Sequence, residues 1–83
     1  MYFVYILQSI NSGTFYVGCT EDLDRRIKEH NSGLSKYTKS RRPWMLKYSE
    51  TYPTLSEARK REKQIKSFKK RIAIEKLINA AIV

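Results

Sequence analysis

Tyr16-Val17-Gly18-Cys19-Thr20-Glu21-Asp22-Leu23-Asp24-Arg25-Arg26-Ile27-Lys28-Glu29-His30 reads as a strand that runs straight into a helix. The apolar run stops at Gly18 and Cys19. Thr20 offers an N-cap, and Glu21, Asp22 and Asp24 suit the positive end of a helix dipole. The helix is expected to continue to about Asn31, where Asn31-Ser32-Gly33 supplies a stop. At about 100° per residue, Leu23, Ile27 and His30 form one narrow stripe with Arg26 on its edge. Arg26 and His30 are also an i, i+4 pair, so their side chains are neighbours. A tyrosine at the end of a strand thus comes close to an arginine and the chain's only histidine.

Upstream of this corner, Met1 to Thr20 holds no charged side chain. The β-branched and aromatic runs Tyr2–Leu7 and Phe15–Cys19 flank Asn11-Ser12-Gly13 and read as a hairpin. A turn centred near Ile10 and Asn11 would set Tyr5 almost directly opposite Tyr16. Both runs are nearly continuous in apolar character, so at least one is expected to be central in a sheet. Downstream, residues 32–43 form a basic loop with one aromatic, and Pro43 precedes a third strand over about Trp44 to Tyr52. Alternation puts Trp44, Leu46, Tyr48 and Tyr52 on one face of that strand. Pro53 ends it, and Thr54 with Glu57 fits a capping box that opens a second helix. The inward stripe of this helix is Leu55, Ala58, Glu62 and Ile65. Ser67 marks a break before a last helix with the stripe Ile74, Leu77, Ile78, Ala81 and Ile82. The expected layout is β-β-α-β-α-α: an α+β fold, or α/β sandwich, with a small antiparallel sheet covered by helices in one domain over residues 1–83.

With 83 residues, of which 41% are hydrophobic and 30% charged, the chain is globular rather than disordered and near the lower size for an unstapled core. Cys19 is the single cysteine, which excludes an internal disulfide and makes a reducing compartment the default. No apolar run approaches the roughly 20 residues of a membrane span, and the N-terminus lacks the basic start of a signal peptide. A cytoplasmic, nucleoid-associated location is expected. The net charge of +9 favours a polyanion through counterion release, with an anionic membrane surface as the rival partner. Nine of the seventeen Lys and Arg residues fall between Glu57 and Lys76, a helix surface suited to nucleic-acid backbone contact.

His30 on an apolar stripe reads by itself as a core histidine. Arg26 beside it shifts that reading, because an arginine set against a sheet needs an anion to satisfy it. Arg25 lies further from the stripe and is expected to be solvated. Glu62 either pairs on the surface with Arg59 or Lys66, or serves as a hard ligand for a divalent ion that keeps water and substrate phosphate as its other ligands. Tyr5 and Tyr16 are either plain sheet aromatics or hydroxyls near a cation. A phenol titrates near 10, so one acting as a base needs a positive field that Arg26 is placed to supply. Lys36, Tyr37, Lys39, Arg41 and Arg42 interleave an aromatic with cations. That mixture suits a phosphate backbone and an unpaired base, and equally a solvated loop. Arg59, Lys63 and Lys66 extend the basic surface along the second helix.

Phe3-Val4-Tyr5, Tyr16-Val17-Gly18, Arg26 and His30 in D-L-D-R-R-I-K-E-H, and Glu62 in A-R-K-R-E-K-Q-I-K together resemble the GIY-YIG nuclease superfamily. The phrases H-N-S-G, Y-T-K-S-R-R-P-W and R-E-K-Q-I-K look most like its small stand-alone YhbQ-like branch, and the resemblance covers nearly the whole chain. It implies a phosphodiesterase on a three-stranded antiparallel sheet, related to the first nuclease domain of the bacterial excision-repair incision subunit and to homing endonucleases. By the same resemblance Glu62 binds one divalent ion, Mg²⁺ or Mn²⁺. Arg26 stabilises charge on the transition state, Tyr5 and Tyr16 organise or deprotonate the attacking water, and His30 assists the tyrosines or the phosphate. Phe3 stands where the first motif has Gly, and Val4 and Val17 stand where the motifs have Ile. For the superfamily's late Asn the nearest candidate is Asn79, in poor register.

The sequence therefore points to a metal-dependent endonuclease acting on DNA, with RNA open, of low sequence specificity and selective for structure in repair or recombination. Two other readings stand beside it. One is a nucleic-acid-binding module that kept the scaffold with weak or no catalysis. The other is a nuclease subunit that takes its specificity from a protein partner, docked on the apolar residues from Ile74 to Ile82 unless these simply close the core.

Overall fold

The computed structural model describes residues 1–68 and 70–80. Strands β1 (Tyr2–Ser9) and β2 (Phe15–Thr20) form a hairpin, followed by α1 (Leu23–Ser32), a short 3₁₀ turn at Lys39–Arg41, β3 (Trp44–Tyr52), α2 (Leu55–Lys66) and α3 (Arg71–Ala80). The three strands make one antiparallel sheet in the order β2-β1-β3. The expected layout holds, with β1, the most continuously apolar run, at the centre.

The hairpin register differs from expectation. Tyr5 lies opposite Gly18, and Tyr16 lies opposite Leu7, so the two tyrosines are diagonal neighbours. A two-residue turn at Ile10-Asn11 would demand positive φ from a β-branched isoleucine. The chain instead closes a longer loop in which Ser9 N–H donates to Thr14 O at 2.9 Å and Gly13 N–H to Ser9 O at 2.9 Å. Gly13, at φ 74°, supplies the left-handed residue.

The third strand also departs from simple alternation. Against β1 the pairing runs Ile6↔Tyr48 and then Leu7↔Leu46, skipping Lys47 in a bulge. The extra residue switches faces. Trp44 and Leu46 lie on the α1 side, while Tyr48 and Tyr52 lie on the opposite side. Trp44 is buried with Tyr5 and Leu7, and Tyr16, Leu23 and Ile27 pack on them. Tyr48 and Tyr52 pack instead on the core of Val4, Ile6, Val17, Ala58, Ile65 and Ile78. The sheet is thus sandwiched, with α1 on one face and α2 and α3 on the other.

Helix ends explain the remaining differences. Asp22, not Thr20, caps α1, its carboxylate accepting from Arg25 N–H at 3.1 Å. Thr20 is held in β2 opposite Phe3, so the cap falls two residues later. Gly33, at φ 87°, closes α1 by donating its N–H to Glu29 O and His30 O. Thr54 caps α2 by accepting from Glu57 N–H, and Ser67 follows its last turn as expected. Leu55, expected inside, is 39% exposed and occupies the first position of the helix.

Behind the sheet, Glu50 of β3 ties down α2. It accepts from the hydroxyls of Tyr48 and Tyr52, its neighbours on the same strand face, and from Arg61 Nε and Nη2 at 2.9 and 3.0 Å. Burial pushes the Glu50 carboxyl up, but the hydrogen bonds from Arg61 and the two phenols outweigh it and its pKa is lowered. Ile74, Leu77 and Ile78 of α3 pack on the core, as the core-closing reading of this stripe expects. Ala81 and Ile82 lie outside the described residues.

Candidate active site

The centre of the site is a buried chain of side chains on the α1 face of the sheet. Tyr5 hydroxyl lies 2.9 Å from His30 Nε2, and His30 Nδ1 lies 2.7 Å from Thr38 Oγ1. Tyr5 is 1% exposed, and His30 and Thr38 are both 0% exposed. Direction follows from the far end: Thr38 hydroxyl donates to Ser35 O, so its oxygen receives the Nδ1–H of His30. Nε2 is then the acceptor, and the Tyr5 hydroxyl donates to it. The main chain fixes the same residue again, because Trp44 Nε1–H donates to Thr38 O at 2.9 Å.

This histidine is neutral. Burial, with the Arg26 charge adding to it and Glu29 opposing in part, lowers its pKa to about 4. Burial likewise pushes the Tyr5 phenol up to about 12. The Arg26 guanidinium, bonded near that hydroxyl, pulls the other way, while Tyr16 and Glu62 add to the rise. The field of Arg26 opposes that rise without cancelling it. Tyr5 is therefore a phenol at neutral pH in this structure.

Gly18 makes this arrangement possible. A Cβ at Gly18 would fall 2.4 Å from the Tyr5 hydroxyl, so the phenol lies across the bare backbone of the facing strand. Tyr16 completes the aromatic wall. Its ring centroid is 4.9 Å from that of His30, edge to face, 6.4 Å from Tyr5 and 6.2 Å from Trp44. Unlike Tyr5, its hydroxyl has no hydrogen-bond partner among the described residues, and the side chain is only partly buried.

Arg26 is one-third exposed and donates to Glu29 Oε1 at 2.9 Å. The anion that it was expected to need is supplied within its own helix, by a residue the sequence reading passed over. Arg25 is solvated, as expected. Glu62 is 18% exposed and paired with Lys66 at 2.7 Å, so it is turned inward and makes one of the ion pairs expected of it. Its charge bears on Tyr5 and on Cys19, raising both, although burial contributes more in each case. Glu62 shares a shallow groove of about 380 Å³ with Arg59, Lys63 and Lys66.

Among the described residues no three His, Cys, Asp or Glu side chains converge on a metal position. Glu62 alone fits an ion held largely by water and phosphate, as Mg²⁺ commonly is. Asn79 lines a different groove, with Gln8, Phe15, Lys47 and Arg71 on the α3 side of the sheet, and does not join this site. In the basic loop, Lys36, Tyr37, Lys39 and Arg41 are exposed. Arg42 is exposed too, but its Nε donates to Lys39 O at 2.9 Å, and its guanidinium lies 2.7 Å from where a Cβ on Gly33 would be, so it braces the loop. Thr38 was missed from sequence: a threonine between Tyr37 and Lys39 carries no periodic signal. Asn31 was also missed as a support. Its amide donates to Trp44 O and accepts from Trp44 N–H, holding the start of β3 to α1.

A family model described as the GIY-YIG catalytic domain matches residues 1–77. The chain belongs to the GIY-YIG family. That membership supports a nuclease-type function, and close relatives place the chain in the small stand-alone branch. A UPF0213 protein of Staphylococcus epidermidis is 50% identical over 68 residues, covering 81% of this chain and 82% of that protein. A UPF0213 protein of Desulfotalea psychrophila is 54% identical over 67 residues, covering 78% of this chain and 60% of that protein. The solution NMR structure of a UPF0213 protein from Bacillus halodurans matches with a TM-score of 0.60 at 39% identity, over 96% of this chain and 85% of that one. No helix among the described residues is long and apolar enough to cross a membrane.

Proposed function

We infer that this protein is a metal-dependent endonuclease that hydrolyses phosphodiester bonds in DNA with low sequence specificity, selecting its substrate by structure in repair or recombination. The observation that carries the reading is the buried hydrogen-bonded chain Tyr5–His30–Thr38, flanked by the Tyr16 ring and within the field of the Arg26 and Glu62 charges. A neutral imidazole that accepts from Tyr5 fixes the phenol's proton inward, leaving its oxygen lone pairs to orient a water molecule. Tyr16, its hydroxyl without a partner among the described residues, is the second group to hold that water. Arg26 exchanges Glu29 for the phosphate and stabilises the charge that builds on its oxygens. Glu62 would hold one divalent ion, Mg²⁺ or Mn²⁺, which when bound neutralises phosphate charge. Lys36, Tyr37, Lys39, Arg41 and Arg42 on the loop, and Arg59, Lys63 and Lys66 on α2, contact the nucleic acid on either side. Lys and Arg contacts to phosphate position a duplex without reading it, which accounts for low sequence specificity.

The test uses purified protein with Mg²⁺ or Mn²⁺ on flap, nicked, branched and single-stranded substrates. Cleavage is expected to vanish in Glu62→Gln and Arg26→Gln while binding persists. Cleavage that survives both substitutions sinks the assignment. One observation favours a second reading, a binding module with weak catalysis: both functional charges are engaged at rest, Arg26 with Glu29 and Glu62 with Lys66. Salt-sensitive binding without metal-stimulated cleavage on any substrate would decide for it.

A further inference from the structure

We propose that Tyr37 is a stacking platform for an unpaired base of the strand being cut, so that the site selects nucleic acid with a base out of the duplex beside the reacting phosphate. The proposal rests on the nuclease reading above and names its substrate class. Tyr37 is 84% exposed, and Leu34, at the start of the same loop, is 77% exposed. Single exposed apolar residues are ordinary on protein surfaces. This one differs in its mounting.

Ser35 and Thr38, on either side of Tyr37, are buried. Thr38 N–H and Lys39 N–H both donate to Ser35 O, and Leu34 N–H donates to Glu29 O. Arg42 Nε closes the loop on Lys39 O. The ring is therefore displayed to water from a turn that is tied down at both ends, and stacking on it loses little backbone freedom. Its surroundings select for phosphate. Lys36, Lys39 and Arg41 are exposed around it, none of the three is ion-paired among the described residues, and the sequence has no acidic residue between Glu29 and Glu50. Its position links it to the chemistry, because the next residue, Thr38, holds His30 and through it Tyr5. Base–aromatic stacking typically changes affinity by roughly five- to a hundred-fold.

The test compares two hairpin duplexes that differ only in one extrahelical 2-aminopurine, each made as DNA and as RNA, with anisotropy and fluorescence read without added metal. The wild-type chain is expected to bind the bulged form about ten-fold more tightly and to change its fluorescence. Tyr37→Phe keeps both effects. Tyr37→Ala loses the preference, so that the bulged and the fully paired duplexes bind alike. The strand type that shows the preference identifies the source of the base. Equal wild-type affinity for both duplexes overturns the proposal, as does a Tyr37→Ala variant that weakens both alike. Nothing is cut in this assay, so the two readings fail separately: a Tyr37-dependent preference without metal-stimulated cleavage removes only the nuclease reading, and cleavage without preference removes only this one.

Discussion

Acidification from about pH 7 to about pH 5 is expected to remove about 2 kcal/mol of folding stability through His30 alone. In the folded chain the ring is desolvated beside Arg26 and its pKa is lowered to about 4 from an ordinary 6.5. Between those values the unfolded chain binds a proton that the native chain refuses. Stability from this residue is therefore complete above the unfolded value and is lost as pH falls toward the folded one. At about 1.4 kcal/mol per pKa unit the whole loss approaches about 3 kcal/mol, a large share of the total for a chain of this size. Urea unfolding followed by fluorescence of Trp44, the only tryptophan, reads this directly, since its ring N–H is bonded to Thr38. A small domain loses roughly 1 to 1.5 kcal/mol per molar urea, so the midpoint is expected to drop by about 1 to 2 M across that range. His30→Gln should flatten the drop, whatever it costs at neutral pH. Glu50 is held below the usual carboxylate value of 4.5, so its own titration falls outside the window. A wild-type midpoint that stays level, or an equal drop in His30→Gln, refutes a buried neutral imidazole.

Gly18→Ala puts a methyl group 2.4 Å from the Tyr5 hydroxyl and must push the phenol off His30. Destabilisation of about 1–3 kcal/mol in thermal unfolding is expected, together with loss of cleavage, and a variant with wild-type Tm would contradict the close approach. Thr38→Val leaves His30 Nδ1–H buried without an acceptor and should cost about 1–3 kcal/mol, whereas Thr38→Ser keeps the oxygen and should restore most of it. If valine and serine behave alike under denaturant, the hydrogen bond does not hold the ring.

Most of the element order was readable because each element carries a local signal: the β-branched and aromatic run of β1, the stop at Gly33, the Thr54 cap. What failed depends on partners distant in sequence or on added residues. The hairpin register turned on which residue took positive φ, and Gly13 was available two positions past the expected centre. The bulge at Lys47 has no signature, yet it sends Trp44 to one face and Tyr48 to the other. At the site, motif residues Tyr5, Tyr16, Arg26 and His30 do come together, and the charge of Glu62 reaches Tyr5. Thr38 and Asn31 escaped because a hydrogen bond across a loop leaves no period in the sequence. The protonation state of the site escaped for a related reason: it depends on burial, which outweighs the nearby arginine and is invisible until the layers are assembled.

The clamp between Glu50 and Arg61 has a consequence for the opposite end of the site. A helix resting on a sheet can roll about its axis, and each residue points about 100° on from the one before. Arg61 is caught from β3 by a carboxylate that two phenols also hold, so the roll of α2 is arrested at that residue. Glu62 is the very next residue. Its bearing is set from behind the sheet, by Glu50, which works as an index pin for the carboxylate proposed to hold the ion.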